Sequence, residues 1–180
     1  DCKKRFIVVH NGIIENFEEL KSSLKENHKF LSETDTEIIP HIIEEVFSDI
    51  GDLKQAVIKT GNKLKGRNAF VVLDSETGEM IAFRNGSPLI IGIEKPYSEN
   101  KNKVKGVFIA SDIQAFLHKT KEVMYLDDEQ IAIINKTPEF FDSKTGEKIE
   151  KRLIKIEIDA SDSEKGDYSH FMLKEIMEQK

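Results

Sequence analysis

The apolar period of this chain switches from helical to strand spacing at Asn68. Ile38, Ile39, Ile42, Ile43, Val46 and Phe47 recur at helical spacing. They predict a helix that ends near Gly51, with Pro40 early enough in it that a missing N–H does little harm. A further helix is expected over roughly 52–65, with Leu53, Val57, Ile58 and Leu64 inward and Gly66 as its stop. From Asn68 onward the period is two. Strands are expected at 69–73 and 80–83 around a turn at 74–79, then at 88–93, 107–110, 130–135, 140–142 and 152–158. A charged loop at 94–105 and a short helix at 113–118 interrupt them. Phe70 to Leu73 and Leu89 to Ile91 are apolar throughout, so their sheets need cover on both faces. The pattern predicts an α+β chain with helices packed against antiparallel strands.

Ahead of these helices, Phe6-Ile7-Val8-Val9 reads as a strand that runs into His10-Asn11-Gly12. Asn-Gly is a common hairpin turn, so a returning strand is one expectation. The residues after Gly12 have helical spacing instead: Phe17, Leu20 and Leu24 share a face within 16–25. Asn16 with Glu19 three residues later has the form of a helix start, its amide a cap for free N–H groups. A strand ending this way presents the Asn11 side-chain amide beside the Gly12 backbone N–H. Two fixed donors of that kind suit the charge that develops on a carbonyl oxygen during acyl transfer. Asp35, within Ser32-Glu33-Thr34-Asp35-Thr36-Glu37, is either a ligand carboxylate or, alone or through Thr34 and Glu37, the cap of the next helix.

The remaining composition narrows the class. The chain has 180 residues, enough for one domain with a proper core. Twenty-seven basic against 33 acidic residues give a net charge of −6, which argues against nucleic acid as a partner. No run of 18 apolar residues and no secretory signal is visible, so no membrane partner and a cytoplasmic location are expected. A single cysteine, Cys2, excludes a disulfide framework and predicts no zinc cluster. His41, among isoleucines, is expected to be a satisfied, half-buried histidine. Asp127-Asp128-Glu129 lacks the loop glycine and spacing of a calcium site and reads as a solvated turn.

Five motifs in order carry a resemblance. Val8-Val9-His10-Asn11-Gly12-Ile13-Ile14-Glu15-Asn16, the segment 32–37, Arg84-Asn85-Gly86-Ser87-Pro88-Leu89-Ile90-Ile91-Gly92, Ile109-Ala110-Ser111-Asp112 and the segment 167–179 together span nearly the whole chain. They resemble the glutaminase domain of the glutamine–fructose-6-phosphate aminotransferases, class II glutamine amidotransferases of the N-terminal-nucleophile (Ntn) hydrolase type. The resemblance implies a four-layer αββα sandwich, here incomplete because the N-terminal strands are missing. It implies residues 1–165 as the larger, C-terminal part of the amidotransferase domain, and 166–180 as a junction toward an absent sugar isomerase domain. Tyr168, His170, Lys174 and Glu175 would be interdomain contacts, although Gln179-Lys180 departs from the usual Gln-Pro.

The same resemblance assigns roles. Asn11 and Gly12 would form the oxyanion hole, with Gly12 also letting the backbone approach the substrate, and Asp35 would pair with the α-ammonium of L-glutamine. The nucleophile would be an N-terminal cysteine outside this chain. Cys2 is no substitute, because Lys3-Lys4-Arg5 follows it instead of a small apolar run. His10 is a possible base but more readily a structural residue, and Arg84 with Ser87-Pro88 would shape the sheet end. The full enzyme would be a homodimer that aminates fructose 6-phosphate with ammonia from glutamine, without metal or other cofactor, and this fragment alone would be inactive. An amidophosphoribosyltransferase-like glutaminase and a non-catalytic glutamine-binding or assembly module stay open as alternatives.

Overall fold

In the computed structural model, which describes residues 1–24, 28–95, 104–157, 166 and 168–179, the strands form two antiparallel sheets. The larger contains, in spatial order, β1 (Phe6–Gly12), β2 (Asn68–Asp74), β3 (Met80–Asn85), β7 (Gln130–Ile133), β8 (Glu139–Asp142) and β9 (Lys148–Ile149). The smaller runs β10 (Ile154–Lys155), β6 (Glu122–Tyr125), β4 (Ile90–Glu94) and β5 (Gly106–Ala110). The helices are α1 (Phe17–Ser23), α2 (Ile38–Ile50), α3 (Leu53–Gly61) and α4 (Phe171–Met177).

The period of two sorts the large sheet into two faces. Phe70, Val72, Ile81, Phe83 and Ile131 point one way and pack against Ile38, Ile39, Ile42, Ile43 and Val57 of α2 and α3. The alternate residues Ala69, Ala82 and Ala132 meet Ile91 and Ile93 of β4 and Leu89 just before it, with Leu126 and Phe140 filling the space between the sheets. Ala82 lies directly opposite Ala132, so the large sheet is flat there and the second sheet can sit close. The outer face of the small sheet is closed by Ile90, Val123 and the Phe116 ring. A Cβ at Gly92 would stand 2.6 Å from that ring. Helix, sheet, sheet is therefore the layer order. Among the described residues the fourth layer is only the 3-10 turn Ile113–Ala115, capped by Asp112 onto the Gln114 amide, and the residues just after it.

α2 ends as expected, at Gly51 with φ +67, its amide bonded to the Phe47 carbonyl. α3 ends earlier than the expected Gly66. Its last residue is Gly61, where a Cβ would lie 2.3 Å from the Phe83 ring, so the helix can approach β3 only at a glycine. The short helix expected at 113–118 is the 3-10 turn. β6, β9 and α4 were not expected. The strand expected at 152–158 is reduced to β10, with Ile158 outside the described residues, as are 96–103 of the charged loop.

Candidate functional site

β1 sets the site through its hydrogen-bond parity. Ser75 N donates to Arg5 O at 2.9 Å and Ile13 N donates to Arg67 O at 3.1 Å, just beyond the two ends of the β1–β2 ladder. The odd-numbered residues of β1 are thus the ones bonded to β2, and the even-numbered N–H groups face away from it. Phe6 N obeys the rule by donating to Asp1 Oδ1 at 3.3 Å. Gly12 N–H consequently points off the sheet edge, which no other described strand pairs. Gly12 has φ +139, and a Cβ there would stand 2.1 Å from Arg67 O and 2.7 Å from Asn68 Cα. Only glycine fits.

Asn11 has the opposite parity. With Val9, Ala69, Val71, Leu89, Ile109 and Ser111 it lines a cavity of about 190 Å³ between the sheets. Along the same face Ile7 and Val9 are 55% and 65% exposed, so the second sheet does not cover the outer part of β1. A side-chain amide and a backbone N–H thus sit at one strand end beside an apolar cleft. A larger cavity of about 590 Å³ lies near Met124, Pro138 and Lys148. Its Lys148 and Lys151 are already ion-paired with Glu139 and Asp127, and it gathers no such donors.

The 3-10 turn Asp35–Glu37 locks onto this end of β1. Asp35 Oδ2 accepts from Ile14 N at 2.7 Å, two residues past Gly12. His10 Nδ1 lies 3.0 Å from Thr36 Oγ1, while its Nε2 is buried without a hydrogen-bond partner. Burial lowers the His10 pKa, against the opposing charge of Asp35. Neither Asp35 nor Thr34 caps a helix: Thr34 makes no side-chain cap bond. Glu37 reaches back instead, accepting from Leu31 N and Ser32 N, each at 2.7 Å. Burial pushes Glu37 up, but hydrogen bonds from the Ser32 hydroxyl and the Leu31 and Ser32 amides prevail, with His41 close by, and hold it at about 2.

The Asn16 amide does not cap α1 either. Its Nδ2 donates to Lys63 O at 3.0 Å and its Oδ1 accepts from Lys65 N at 2.9 Å, tying the stretch after Gly12 to the turn before β2. The Arg84–Leu89 segment supports that turn from the other side. Arg67 donates to Gly86 O, Gly86 N donates to Asp128 Oδ1, and Arg84 donates to Ser87 O and Leu126 O. Asp127, Asp128 and Glu129, expected as a solvated turn, are each engaged: with Lys151, with Gly86 and Arg84, and with Lys144. They converge on no common point.

His41 corrects two expectations. It is 1% exposed rather than half-buried, and its Nε2 has no hydrogen-bond partner. Counting cysteines predicts no zinc cluster, yet the fold brings Cys2, His28, His41 and Glu44 together. Sequence reasoning missed this group because its members are up to 42 residues apart; the His41-x-x-Glu44 spacing on one helix face was the only local signal.

The antiparallel two-sheet α+β fold is the kind found in glutamine amidotransferase domains. The chain belongs to that family, whose model, described as a glutamine amidotransferase domain, matches residues 1–118. It is 45% identical over 174 residues to glutamine–fructose-6-phosphate aminotransferase [isomerizing] of Clostridium acetobutylicum, covering 96% of this chain and 27% of that protein. It is 46% identical over 181 residues to the Aquifex aeolicus enzyme of the same name, covering 99% and 29%. The chain therefore spans less than a third of the curated relatives it matches. Among solved structures it resembles the glutamine phosphoribosylpyrophosphate amidotransferase from B. subtilis, with TM-score 0.60 and 25% identity over 78% of this chain and 29% of that one. A second, titled the allosteric regulatory enzyme of purine biosynthesis, gives 0.61 and 26% with the same coverage. The resemblance read from the five motifs is borne out, and the Ntn-type fold with it. Among the described residues no helix is long and apolar enough to cross a membrane.

Proposed function

We propose that this chain is the glutaminase part of an enzyme that makes glucosamine 6-phosphate from fructose 6-phosphate and L-glutamine. The observation that carries the reading is the pair of donors at the end of β1. Asn11 Nδ2 and Gly12 N–H receive the oxyanion formed when a thiolate attacks the glutamine amide. Donors already in place need no reorganisation as charge develops. Asp35, oriented by Ile14 N through one oxygen, offers the other to the α-ammonium of glutamine. Cys2 is engaged with His28, His41 and the Lys29 amide, so the reading takes its nucleophile from a cysteine outside residues 1–180. Its α-amino group serves as the base, which leaves His10 a positioning role through Thr36.

Residues 1–165 act as the amidotransferase part in this reading, and α4 as the start of the junction to the isomerase part. Phe171, Met172, Leu173, Ile176 and Met177 are all between 42% and 72% exposed, an apolar helix surface that suits a following domain. An amidophosphoribosyltransferase role draws on the fold likeness. The much higher identity to the fructose-6-phosphate enzymes outweighs it.

The test is ammonia release from glutamine by this chain joined to a nucleophile-bearing N-terminal segment. Activity in the joined protein and none in the 180-residue chain is the expected result, and inactivity of both would overturn the reading. Asp35→Asn in the joined protein is expected to raise KM for glutamine by roughly 10- to 100-fold, because a charge-assisted bond to the ammonium is lost. An unchanged KM would remove Asp35 from the binding site.

A further inference from the structure

Four ligating side chains converge at the corner where residue 2 meets α2. His28 Nδ1 and His41 Nδ1 lie 3.0 Å apart. Cys2 Sγ is 3.9 Å from the first and 3.8 Å from the second. Glu44, one turn along α2 from His41, places Oε2 at 3.6 Å from His28 Nδ1 and 3.9 Å from His41 Nδ1. One atom from each residue lies within 4.8 Å of all the others. A tetrahedral ion with bonds of about 2.0 Å to nitrogen and 2.3 Å to sulfur holds its ligands about 3.3–3.6 Å apart. The observed separations bracket that spacing. Hydrogen bonding alone accounts for less of it, since one shared proton satisfies the two Nδ1 atoms and gives no reason for a thiol and a carboxylate to close on the same point.

The surroundings have the form of a metal's outer shell. His28 turns its Nε2 to Glu45 Oε2 at 3.4 Å, and His41 turns its Nε2 to Glu37 Oε1 at 3.6 Å. A carboxylate beside each imidazole raises its basicity as a ligand. Lys29 N donates to Cys2 Sγ at 3.3 Å, as suits a thiolate. Cys2 N and Lys3 N donate to the two oxygens of Glu44, at 2.9 and 3.1 Å, and hold its carboxylate in place. His41 is 99% buried by its 1% exposure, whereas Cys2 is exposed, so the cluster is rigid on one side and open to an arriving ion on the other.

We propose that Cys2, His28, His41 and Glu44 form a site for a divalent cation of the zinc class. One thiolate and two imidazoles select zinc or cobalt over magnesium and calcium, which prefer all-oxygen sets. Binding releases the thiol proton to solvent. Four protein ligands make the site structural rather than catalytic. It ties the N-terminal segment and the stretch at residue 28 to α2, whose start carries the turn that positions Asp35. The site is independent of the glutaminase reading.

Titration of the metal-stripped 180-residue chain with Co²⁺ tests it. The expected result is one bound equivalent, with a thiolate-to-cobalt charge-transfer band and the intense visible bands of tetrahedral cobalt, both displaced by Zn²⁺. Cys2→Ser is expected to abolish the charge-transfer band and weaken binding on the order of 100-fold, and His28→Gln to weaken it comparably. His170→Gln, at an exposed histidine elsewhere, is expected to change nothing. Circular dichroism of each variant keeps binding loss separate from unfolding, and Zn²⁺ is expected to raise the Tm of the unmodified chain but not of Cys2→Ser. Absence of tetrahedral cobalt bands in the unmodified chain, or equal affinity in Cys2→Ser, would overturn the proposal.

Discussion

Replacing Asn11 with alanine is expected to lower kcat for glutamine hydrolysis by about 10²- to 10³-fold, roughly 3–4 kcal/mol of transition-state stabilisation, with little change in KM. The measurement is steady-state ammonia release by the joined protein. The split between the two constants arises from where the amide acts. It bonds the oxyanion, which exists only after attack, and so contributes little to the bound ground state. Asn11 is exposed and its side chain has no hydrogen-bond partner among the described residues, so the substitution should leave Tm unchanged. Gly12→Ala separates the two donors. Its Cβ meets Arg67 O at 2.1 Å and its φ of +139 strains any other residue, so both activity and stability are expected to fall. A kcat that survives Asn11→Ala would remove the oxyanion role and leave a binding module.

Much of this arrangement was legible because the sequence carries local signals for it. α2 shows its apolar face at helical spacing and its glycine stop, and tertiary packing uses both as written. The strand into Asn11-Gly12 was legible for the same reason, since residue 13 begins neither a hairpin return nor a further strand. Local spacing failed where partners are distant. Asn16 looks like a cap, yet Lys63 and Lys65 compete successfully for its amide from 47 and 49 residues away. β6 was hidden because only Val123 of its four residues is buried, which leaves no period to read. The outward direction of the Gly12 N–H depends on register with β2, and a single strand does not reveal its register. The Cys2–His28–His41–Glu44 cluster is the extreme case: no two of its members but His41 and Glu44 are neighbours in sequence.

Asp74 yields the second large effect, on stability rather than turnover. It closes β2 at 1% exposure and accepts from Arg5 Nε at 2.9 Å and Nη2 at 2.7 Å, from Glu76 N at 3.0 Å and from Thr77 Oγ1 at 3.0 Å. One carboxylate thus fastens the start of the chain to the first hairpin, and Arg5 also lies over the Phe47 ring at 4.4 Å. The Arg5 hydrogen bonds lower its pKa from 3.8 to about 2, with burial opposing them and the turn donors assisting. The native state therefore takes up this proton less readily than the unfolded chain. Its contribution is complete above about pH 4 and is lost as pH falls through about 2, a difference worth ~2 kcal/mol. Asp74→Asn is expected to cost about 2–4 kcal/mol at pH 7, because the half-buried guanidinium loses its bidentate partner, and to lower Tm by roughly 5–10 °C. Thermal unfolding of both proteins from pH 7 to pH 2 checks the cause. The deficit of the variant must shrink toward pH 2, where the wild-type carboxyl is itself protonated. A deficit that stays constant across that range would place the stabilisation in the shape of the turn and not in the charge of Asp74.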